Sequence, residues 1–258
     1  MIKTAIHKSF RAFGLDVVRA PKDEQAYPPD FREDEIEIIR DAEPWTMTSR
    51  ERIYALIQAV RYVSANRIPG AIVECGVWKG GSMAAAARTL LQLKDVSRDL
   101  VLFDTFAGMT EPTWRDKDYS GNQASRVLAE EPRARCGGAP LESVIEVVHA
   151  TGYPREKIHF VPGRVEETIP ASAPESIALL RLDTDWYEST KHDLVHLFPR
   201  LSQHGVLIID DYGHWSGARQ ACDEYFAANR TRILMNRIDY TGRIAVKLLA
   251  GRDGSDKK

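Results

Sequence analysis

The sequence predicts an α/β fold built on a parallel sheet, and three observations support this prediction. Two apolar runs of strand length, beginning at Ile177 and at Gly205, end abruptly in carboxylates. A continuous apolar run bounded by turn signals is typical of a strand that is buried on both faces, as in a parallel sheet. A third run, from Gly70, leads through a glycine-bearing turn into an Ala-rich segment around Ala87. Strands that alternate with helical segments favour parallel pairing.

Length and composition are typical of a soluble globular protein. The 258 residues fit one α/β domain, and 43% apolar with 28% charged residues is ordinary for such a domain. A net charge of −2 gives no electrostatic footprint for nucleic acid. Three distant cysteines without a CxxC pair favour a reduced setting. Because we find neither a bilayer-length apolar run nor a signal-peptide pattern, we expect a cytoplasmic protein without a membrane span.

Residues 1–45 are predicted to form an N-terminal helical segment and a linker. Apolar residues recur at helical spacing among basic ones in residues 1–20, and Pro and charged residues dominate residues 20–34. Such a helix suits a membrane surface or a partner, or it packs on its own domain or a second subunit. We expect the segment to act as a lid or an oligomer contact, and the protein to be a homo-oligomer.

A helix is predicted to begin near Thr46, with Thr48 or Ser49 as its N-cap. The next apolar run enters the glycine turn, where Gly76 would allow tight turning and Ser82 would stand at a helix N-terminus. The spacing is not G-x-G-x-x-G, which weakens a dinucleotide interpretation.

The following strand ends in Asp104, which either binds ribose hydroxyls or caps a turn. The glycine turn and this acidic residue together favour a nucleoside-type ligand.

The second half of the chain continues the alternation. The polar excursion 109–155 is either a substrate lid or a surface insertion, with one helical pattern at 141–149. We further predict a strand over 157–165, helices over 188–201 and 220–228, a hairpin formed by 232–238 and 242–249, and a disordered tail over 251–258.

Four carboxylates follow the two buried runs: Asp183 and Asp185 after the first, Asp210 and Asp211 after the second. Ligands bind beyond the carboxyl ends of parallel strands, so neighbouring strands would bring these groups together. Clustered negative charges require a cation or a proton, which predicts a divalent-metal site with a spare carboxylate for base chemistry. Residues two apart on a strand point to opposite faces, so Asp183 and Asp185 share an ion only if the strand has ended by Thr184.

Several motifs in order resemble the macrocin O-methyltransferase family of S-adenosylmethionine-dependent and metal-dependent sugar O-methyltransferases. The motifs are Thr46-Met-Thr-Ser-Arg-Glu-Arg52, Val73-Glu-Cys-Gly-Val-Trp-Lys-Gly-Gly-Ser82, Phe103-Asp-Thr-Phe-Ala-Gly108, Leu182-Asp-Thr-Asp-Trp-Tyr-Glu-Ser-Thr190 and Ile209-Asp-Asp-Tyr-Gly-His-Trp215. The resemblance implies a Rossmann-like class I methyltransferase domain over residues 46–250. Its mostly parallel sheet would have seven strands, the last one antiparallel, with helices on both faces.

The resemblance also implies roles for individual residues. Asp183, Asp210 and Asp211 would bind Mg²⁺, and Asp185 would be the general base. Tyr187 and His214 would contact the acceptor, a sugar hydroxyl of a small-molecule glycoside. Contacts to S-adenosylmethionine would come from Met47, Thr48, Ser49, Glu74, Gly76, Ser82, Asp104, Gly163, Val165 and Asp183.

Three other functions fit parts of this pattern. Asp183-Thr-Asp185 is also a DxD motif of nucleotide-sugar glycosyltransferases, but that function leaves the glycine turn and Asp104 without a role. A non-catalytic scaffold that binds S-adenosylmethionine has no use for clustered carboxylates. Within methyltransferases, a catechol-type phenol is the alternative acceptor.

Overall fold

The computed structural model describes residues 27–130 and 138–248. The chain divides into two units, Met1–Phe31 and Arg32–Lys258. Of the first unit, residues 27–31 are described and contain a turn; the second carries every helix and strand named below. The predicted N-terminal helix over 1–20 and the predicted tail over 251–258 lie outside the described residues.

Seven strands form one sheet in the order β3-β2-β1-β4-β5-β7-β6. The strands are β1 (Ala71–Cys75), β2 (Leu100–Asp104), β3 (Ile158–Pro162), β4 (Ile177–Leu182), β5 (Leu201–Ile209), β6 (Asn236–Arg237) and β7 (Arg243–Val246). The first five are parallel, whereas β7 runs antiparallel to β5 and β6 antiparallel to β7. The predicted mixed sheet with an antiparallel last strand is therefore confirmed.

Helices cover both faces of this sheet. They are α1 (Glu33–Ala42), α2 (Arg50–Ala65), α3 (Gly81–Gln92), α4 (Ala124–Glu130), α5 (Leu141–His149), α6 (Val165–Thr168), α7 (Tyr187–Leu197) and α8 (Ser216–Ala228). Residues of α2, α3 and α5 pack in one apolar core with alternate residues of the parallel strands. The intervening strand residues pack on the other face with α7 and α8. This alternation follows from the two-residue period of an extended strand.

Several elements differ from the sequence-based boundaries. Helix α1 begins at Glu33, inside the segment predicted as a linker, because the Glu35 carboxylate accepts a hydrogen bond from the backbone N–H of Arg32 at 2.8 Å and because Ile38 and Ile39 are buried. The strand predicted over 157–165 ends at Pro162, and the predicted hairpin is confirmed but short. The predicted helix over 188–201 ends at Leu197.

The topology places the functional edge of the sheet. The chain leaves β1 toward β2 on one side, and β4 lies on the other, so the crevice between the carboxyl ends of β1 and β4 is the expected ligand position. Among the described residues, none of the helices has the length and apolar character required to cross a membrane.

Candidate active site

The turn after β1 brings backbone N–H groups to this crevice. Gly76 has φ +82°, and a Cβ at that position would collide with the carbonyl oxygen of Asp183. The position therefore requires glycine both for its left-handed conformation and for the close approach of β1 and β4. Gly80, also left-handed, is the N-cap of α3, and the buried Ser82 lies in the first turn of that helix. The helix N-terminus faces the crevice with its free N–H groups.

Asp104, the last residue of β2, holds this turn in place. One carboxylate oxygen, Oδ2, accepts hydrogen bonds from the backbone N–H groups of Val77 at 2.6 Å and Trp78 at 2.9 Å. The other, Oδ1, accepts from the backbone N–H of Phe106 at 2.7 Å. The carboxylate thus caps the turn, and it also lines the cavity described below. Since each oxygen offers two lone pairs, the capping bonds leave acceptor capacity for a ligand hydroxyl.

The backbone at the tip of β4 shows whether the carboxylates of Asp183 and Asp185, two residues apart, can lie at the same site. The strand ends at Leu182, and Asp185 adopts a left-handed conformation with φ +62°. The strict alternation of a strand therefore does not apply here, and both carboxylates lie at the same edge of the crevice. The indole N–H of Trp215 donates to Asp185 Oδ1 at 2.8 Å and orients that carboxylate.

The tip of β5 completes an acidic cluster. Asp183, Asp210 and Asp211 each offer an oxygen, and these atoms all lie within 4.8 Å of one another. Asp210 and Asp211 are buried, and Asp211 Oδ2 has no hydrogen-bond partner in the structure. A buried carboxylate oxygen without a partner is unfavourable unless a proton or a cation reaches it. The predicted convergence of carboxylates from two strand tips is therefore present.

Two arginines compensate part of this charge. Arg181, the buried second-last residue of β4, donates to Glu74 at 2.5 Å, to Asp210 at 2.6 Å and to the hydroxyl of Thr48 at 2.9 Å. It also pairs with Asp183 at 2.7 Å. Arg52 of α2 pairs with the other oxygen of Asp210.

Most of the predicted site residues line one cavity of about 390 Å³ at this edge. The glycine turn and Asp104 lie on one side, and the acidic cluster lies on the other. The predicted residues that line the cavity are Met47, Thr48, Gly76, Ser82, Asp104, Gly163, Val165, Asp183, Asp185, Asp210, Asp211 and His214.

Three predicted site residues make other contacts. Ser49 caps α2 by accepting from the backbone N–H of Arg52, and its hydroxyl donates to Asp239 at 2.8 Å. Glu74 is buried and accepts a hydrogen bond from the buried Arg181, and it is not among the described residues that line the cavity. Tyr187, predicted to contact substrate, is buried and its hydroxyl donates to Glu224 at 2.6 Å on the surface of α7 and α8. Tyr187 is not among the described residues that line the cavity, and its contact with the acceptor stays a prediction.

The excursion after β2 forms part of the cavity wall. Its residues Met109, Thr110 and Ala139 line the cavity, and the Trp186 indole N–H donates to the carbonyl of Thr110 at 2.9 Å. The fully buried Asp116 accepts from the backbone N–H of Tyr187 at 2.8 Å and so fixes the excursion to the start of α7. The excursion is an integral part of the site rather than a surface insertion.

The sequence of this site matches a known family over most of the chain. Residues 3–246 match the family model described as macrocin-O-methyltransferase (TylF). The chain belongs to the macrocin O-methyltransferase family. It is accordingly an O-methyltransferase whose methyl donor is S-adenosylmethionine.

Individual relatives agree with this assignment. The chain is 33% identical over 201 residues to 8-demethyl-8-(2,3-dimethoxy-alpha-L-rhamnosyl)-tetracenomycin-C 4'-O-methyltransferase of Streptomyces olivaceus, covering 76% of this chain and 73% of the relative. It is also 33% identical over 183 residues to demethyldecarbamoylnovobiocin O-methyltransferase of Streptomyces niveus, covering 70% and 68%. Among solved structures, the O-methyltransferase NovP superposes with a TM-score of 0.70 at 30% identity, covering 79% of this chain and 82% of that one.

The side of the cavity formed by the glycine turn and Asp104 fits an adenosyl ligand. The donor groups are the N–H groups at the N-terminus of α3, and the acceptor is the carboxylate of Asp104. A ribose diol needs an acceptor and an amino-acid carboxylate needs donors, so these groups match the two polar ends of S-adenosylmethionine.

The acidic side fits a hard divalent cation. Two guanidinium groups meet six carboxylates there, an excess of four formal negative charges: those of Glu74, Asp183, Asp185, Asp210, Asp211 and Asp239. Burial, followed by the charge of Asp183, raises the pKa of Asp185 to about 8. Burial raises the pKa of Asp210 to about 6, although the charge of Arg181 opposes this, and burial also raises the pKa of Asp211. Three carboxylates, those of Asp183, Asp210 and Asp211, each offer an oxygen of the kind that Mg²⁺ prefers, and Oδ2 of Asp211 has no partner among the described residues.

Arg181 and Arg52 were missed by sequence reasoning, although both carry a readable signal. Arg181 is a charged residue inside an otherwise apolar run, and a buried charge requires a partner. Arg52 lies one turn into a helix whose N-terminus was predicted, but its partners are far along the chain. The sequence analysis predicted that a cation or a proton compensates the negative charge of the carboxylates. In the structure, Arg181 and Arg52 compensate part of that charge.

Proposed function

We propose that this O-methyltransferase transfers the methyl group to a hydroxyl of a sugar carried by a small-molecule glycoside, with Mg²⁺ held by Asp183, Asp210 and Asp211. The observation that carries the proposal is that this acidic cluster opens into the same cavity as Asp104 and the glycine turn. The name of the Streptomyces olivaceus relative specifies a rhamnosyl acceptor, which favours a sugar hydroxyl over a phenol.

Mg²⁺ bound at these carboxylates would polarise the acceptor hydroxyl, which is otherwise a very weak acid. Asp185 takes up the hydroxyl proton as the oxygen forms its bond to the methyl carbon and the carbon–sulfur bond breaks. The Trp215 indole N–H holds the Asp185 carboxylate in one orientation, so its position is set before the acceptor binds. Met109 and Thr110 close the cavity from the side of the excursion.

Turnover with and without metal tests the proposal. The purified protein is incubated with S-adenosylmethionine and glycoside acceptors, including demethyldecarbamoylnovobiocin, and methylated product is identified by mass spectrometry. We expect product with Mg²⁺, loss of product after EDTA treatment, and recovery when Mg²⁺ is restored. Full turnover by EDTA-treated protein would exclude the metal assignment, and methylation confined to phenols would exclude the sugar.

Asp185→Asn tests the base directly. The amide cannot accept the proton, so we expect turnover to fall by about 10²–10⁴-fold. Affinity for S-adenosylhomocysteine, measured by calorimetry, should stay within a few-fold. The matched control is Glu188→Gln, which neutralises an exposed carboxylate at the start of α7 and should leave turnover unchanged.

We also propose that the protein acts in the cytoplasm as a homo-oligomer. The cysteine pattern supports the first part. Light scattering coupled to gel filtration tests the oligomer, and fractionation of the producing cell tests the location.

A further inference from the structure

Three exposed or half-buried rings form a rim at the mouth of the cavity: Tyr119, His214 and Tyr240, here called the aromatic rim. The Tyr119 ring lies 5.4 Å from the His214 ring and 6.2 Å from the Tyr240 ring, in edge-to-face geometry. The His214 and Tyr240 rings are 6.0 Å apart. Tyr119 is 70% exposed and Tyr240 is 55% exposed. Large exposed aromatic rings grouped in this way are typical of binding surfaces.

The aromatic rim is continuous with the catalytic groups. His214 and Tyr240 line the cavity, and the ring of His214 lies 4.6 Å from that of Trp215. Trp215 in turn donates to Asp185. A row of rings therefore leads from the proposed base to solvent, with Tyr119 at its outer end.

Rigid turns hold the rings of the aromatic rim. Asp239 accepts from the backbone N–H groups of Thr241 and Gly242 and so fixes the turn of Tyr240. The Thr241 hydroxyl donates to the carbonyl of Asp210 at 2.7 Å, which couples this turn to the acidic cluster.

The turn of Tyr119 is fixed separately. Asp118 accepts from the backbone N–H groups of Ser120 and Asn122. Lys117 and Ser216 exchange hydrogen bonds that tie this turn to the start of α8. These bonds fix the backbone that carries the rings, so the turns need not rearrange when a ligand binds.

We propose that the aromatic rim binds a planar aglycone of the glycoside acceptor, while the sugar lies deeper, between His214 and Asp185. The proposal rests on the proposed function. A sugar whose hydroxyl reaches Asp185 places its attached group further out along the row of rings, where Tyr119 and Tyr240 are exposed. Aromatic faces bind planar groups by stacking and edge contacts. The acceptor class is therefore an aglycone-bearing glycoside rather than a free sugar.

Binding without turnover tests the rim. Calorimetry compares p-nitrophenyl and methyl glycosides of rhamnose, glucose and galactose on the full chain with S-adenosylhomocysteine and Mg²⁺ present. We expect at least one p-nitrophenyl glycoside to bind about tenfold more tightly than its methyl counterpart. Tyr119→Ala and Tyr240→Ala should each lower this ratio about threefold, the double variant should bring it near one, and Tyr119→Phe should retain it.

Trp114→Ala is the matched control, because Trp114 is 72% exposed on the same excursion but its ring is in contact with Arg115 rather than the rim. It should leave the ratio unchanged. An equal ratio in wild type and double variant, or no aryl preference for any sugar, overturns the proposal. A lower oligomer mass in the double variant, or a preference for dTDP-rhamnose lost with the same residues, also overturns it.

This test is separate from the test of methyl transfer. The aryl preference is measured without a methyl donor, and Asp185→Asn should keep it. If the protein methylates a glycoside but shows no aryl preference in binding, only the proposal for the aromatic rim is wrong. If the aryl preference is present but no sugar is methylated, only the proposed function is wrong.

Discussion

The tip of β2 and the tips of β4 and β5 lie at the same edge of the sheet and both carry carboxylates, but their charges are compensated differently. Asp104 accepts hydrogen bonds from three backbone N–H groups. Asp183 and Asp210 are paired with guanidinium groups, and Asp211 keeps a buried oxygen without a partner. Backbone donors are fixed by the fold, whereas guanidinium groups are side chains that mutation can remove. The tip of β2 is therefore a self-contained turn, whereas the tips of β4 and β5 keep an excess of negative charge that the proposed cation would compensate.

Removing Arg181 should have the largest effect on stability. Arg181→Met leaves Glu74 and Asp183 without a guanidinium partner and leaves Asp210 paired with Arg52 alone. Loss of one partner of a buried ion pair costs about 3–5 kcal/mol, so we expect the free energy of unfolding to fall by that amount. Urea denaturation measures it, and Arg126→Met, which removes a highly exposed pair with Glu130, should leave it unchanged within the error of the measurement.

If Arg181→Met changes the free energy of unfolding only slightly, the contrast drawn between the tip of β2 and the tips of β4 and β5 is wrong. Such a result would mean that the buried carboxylates are neutral in the metal-free protein and that Arg181 does not compensate them. Arg181→Lys keeps the charge but cannot bridge three carboxylates in the same geometry, so it should lie between wild type and Arg181→Met.

Asp104→Asn should have the next largest effect, this time on the cofactor. The amide is a weaker acceptor for both the backbone N–H groups and a ribose hydroxyl. Hydrogen bonds to a charged group are worth about 1.5–3 kcal/mol, so affinity for S-adenosylhomocysteine should fall by about 10- to 100-fold. Calorimetry measures this. Unchanged affinity would mean that Asp104 only caps the turn, and an altered response to Mg²⁺ would mean that the two tips are not independent.

The parts of this site that the sequence could predict are those with local signals. Asp183, Asp185, Asp210 and Asp211 each follow a buried strand, and parallel strands bring their carboxyl ends to one edge. The glycine turn could be predicted because its backbone conformation at position 76 requires glycine. Family membership and the mixed sheet followed from motifs of this local kind.

The parts that could not be predicted depend on contacts between distant segments. Arg52 meets Asp210 and Asp239 only after α2 packs against the sheet. The aromatic rim joins three segments whose residues show no common pattern along the chain. Tyr187 stands beside the catalytic motif in sequence, yet the start of α7 turns it to the surface of the helix layer, where it meets Glu224.

Asp211→Asn should have the smallest effect on stability. The sign of the change tests whether the tip of β5 carries uncompensated negative charge. The carboxylate lies among Asp183, Asp185 and Asp210 with one oxygen unpartnered, so the amide removes repulsion without leaving a cation unpaired. In EDTA we expect the free energy of unfolding to rise by at least about 1 kcal/mol, which is the repulsion between two charges about 4 Å apart in bulk water and so the lower limit for a buried group. Excess Mg²⁺ should stabilise wild type by about 2.7 kcal/mol at 100 times the dissociation constant, and the variant much less. Thermal unfolding with Glu188→Gln as the control measures both.

A less stable variant in EDTA would show that Asp211 makes a favourable contact, and a full response to Mg²⁺ would remove Asp211 from the cation site.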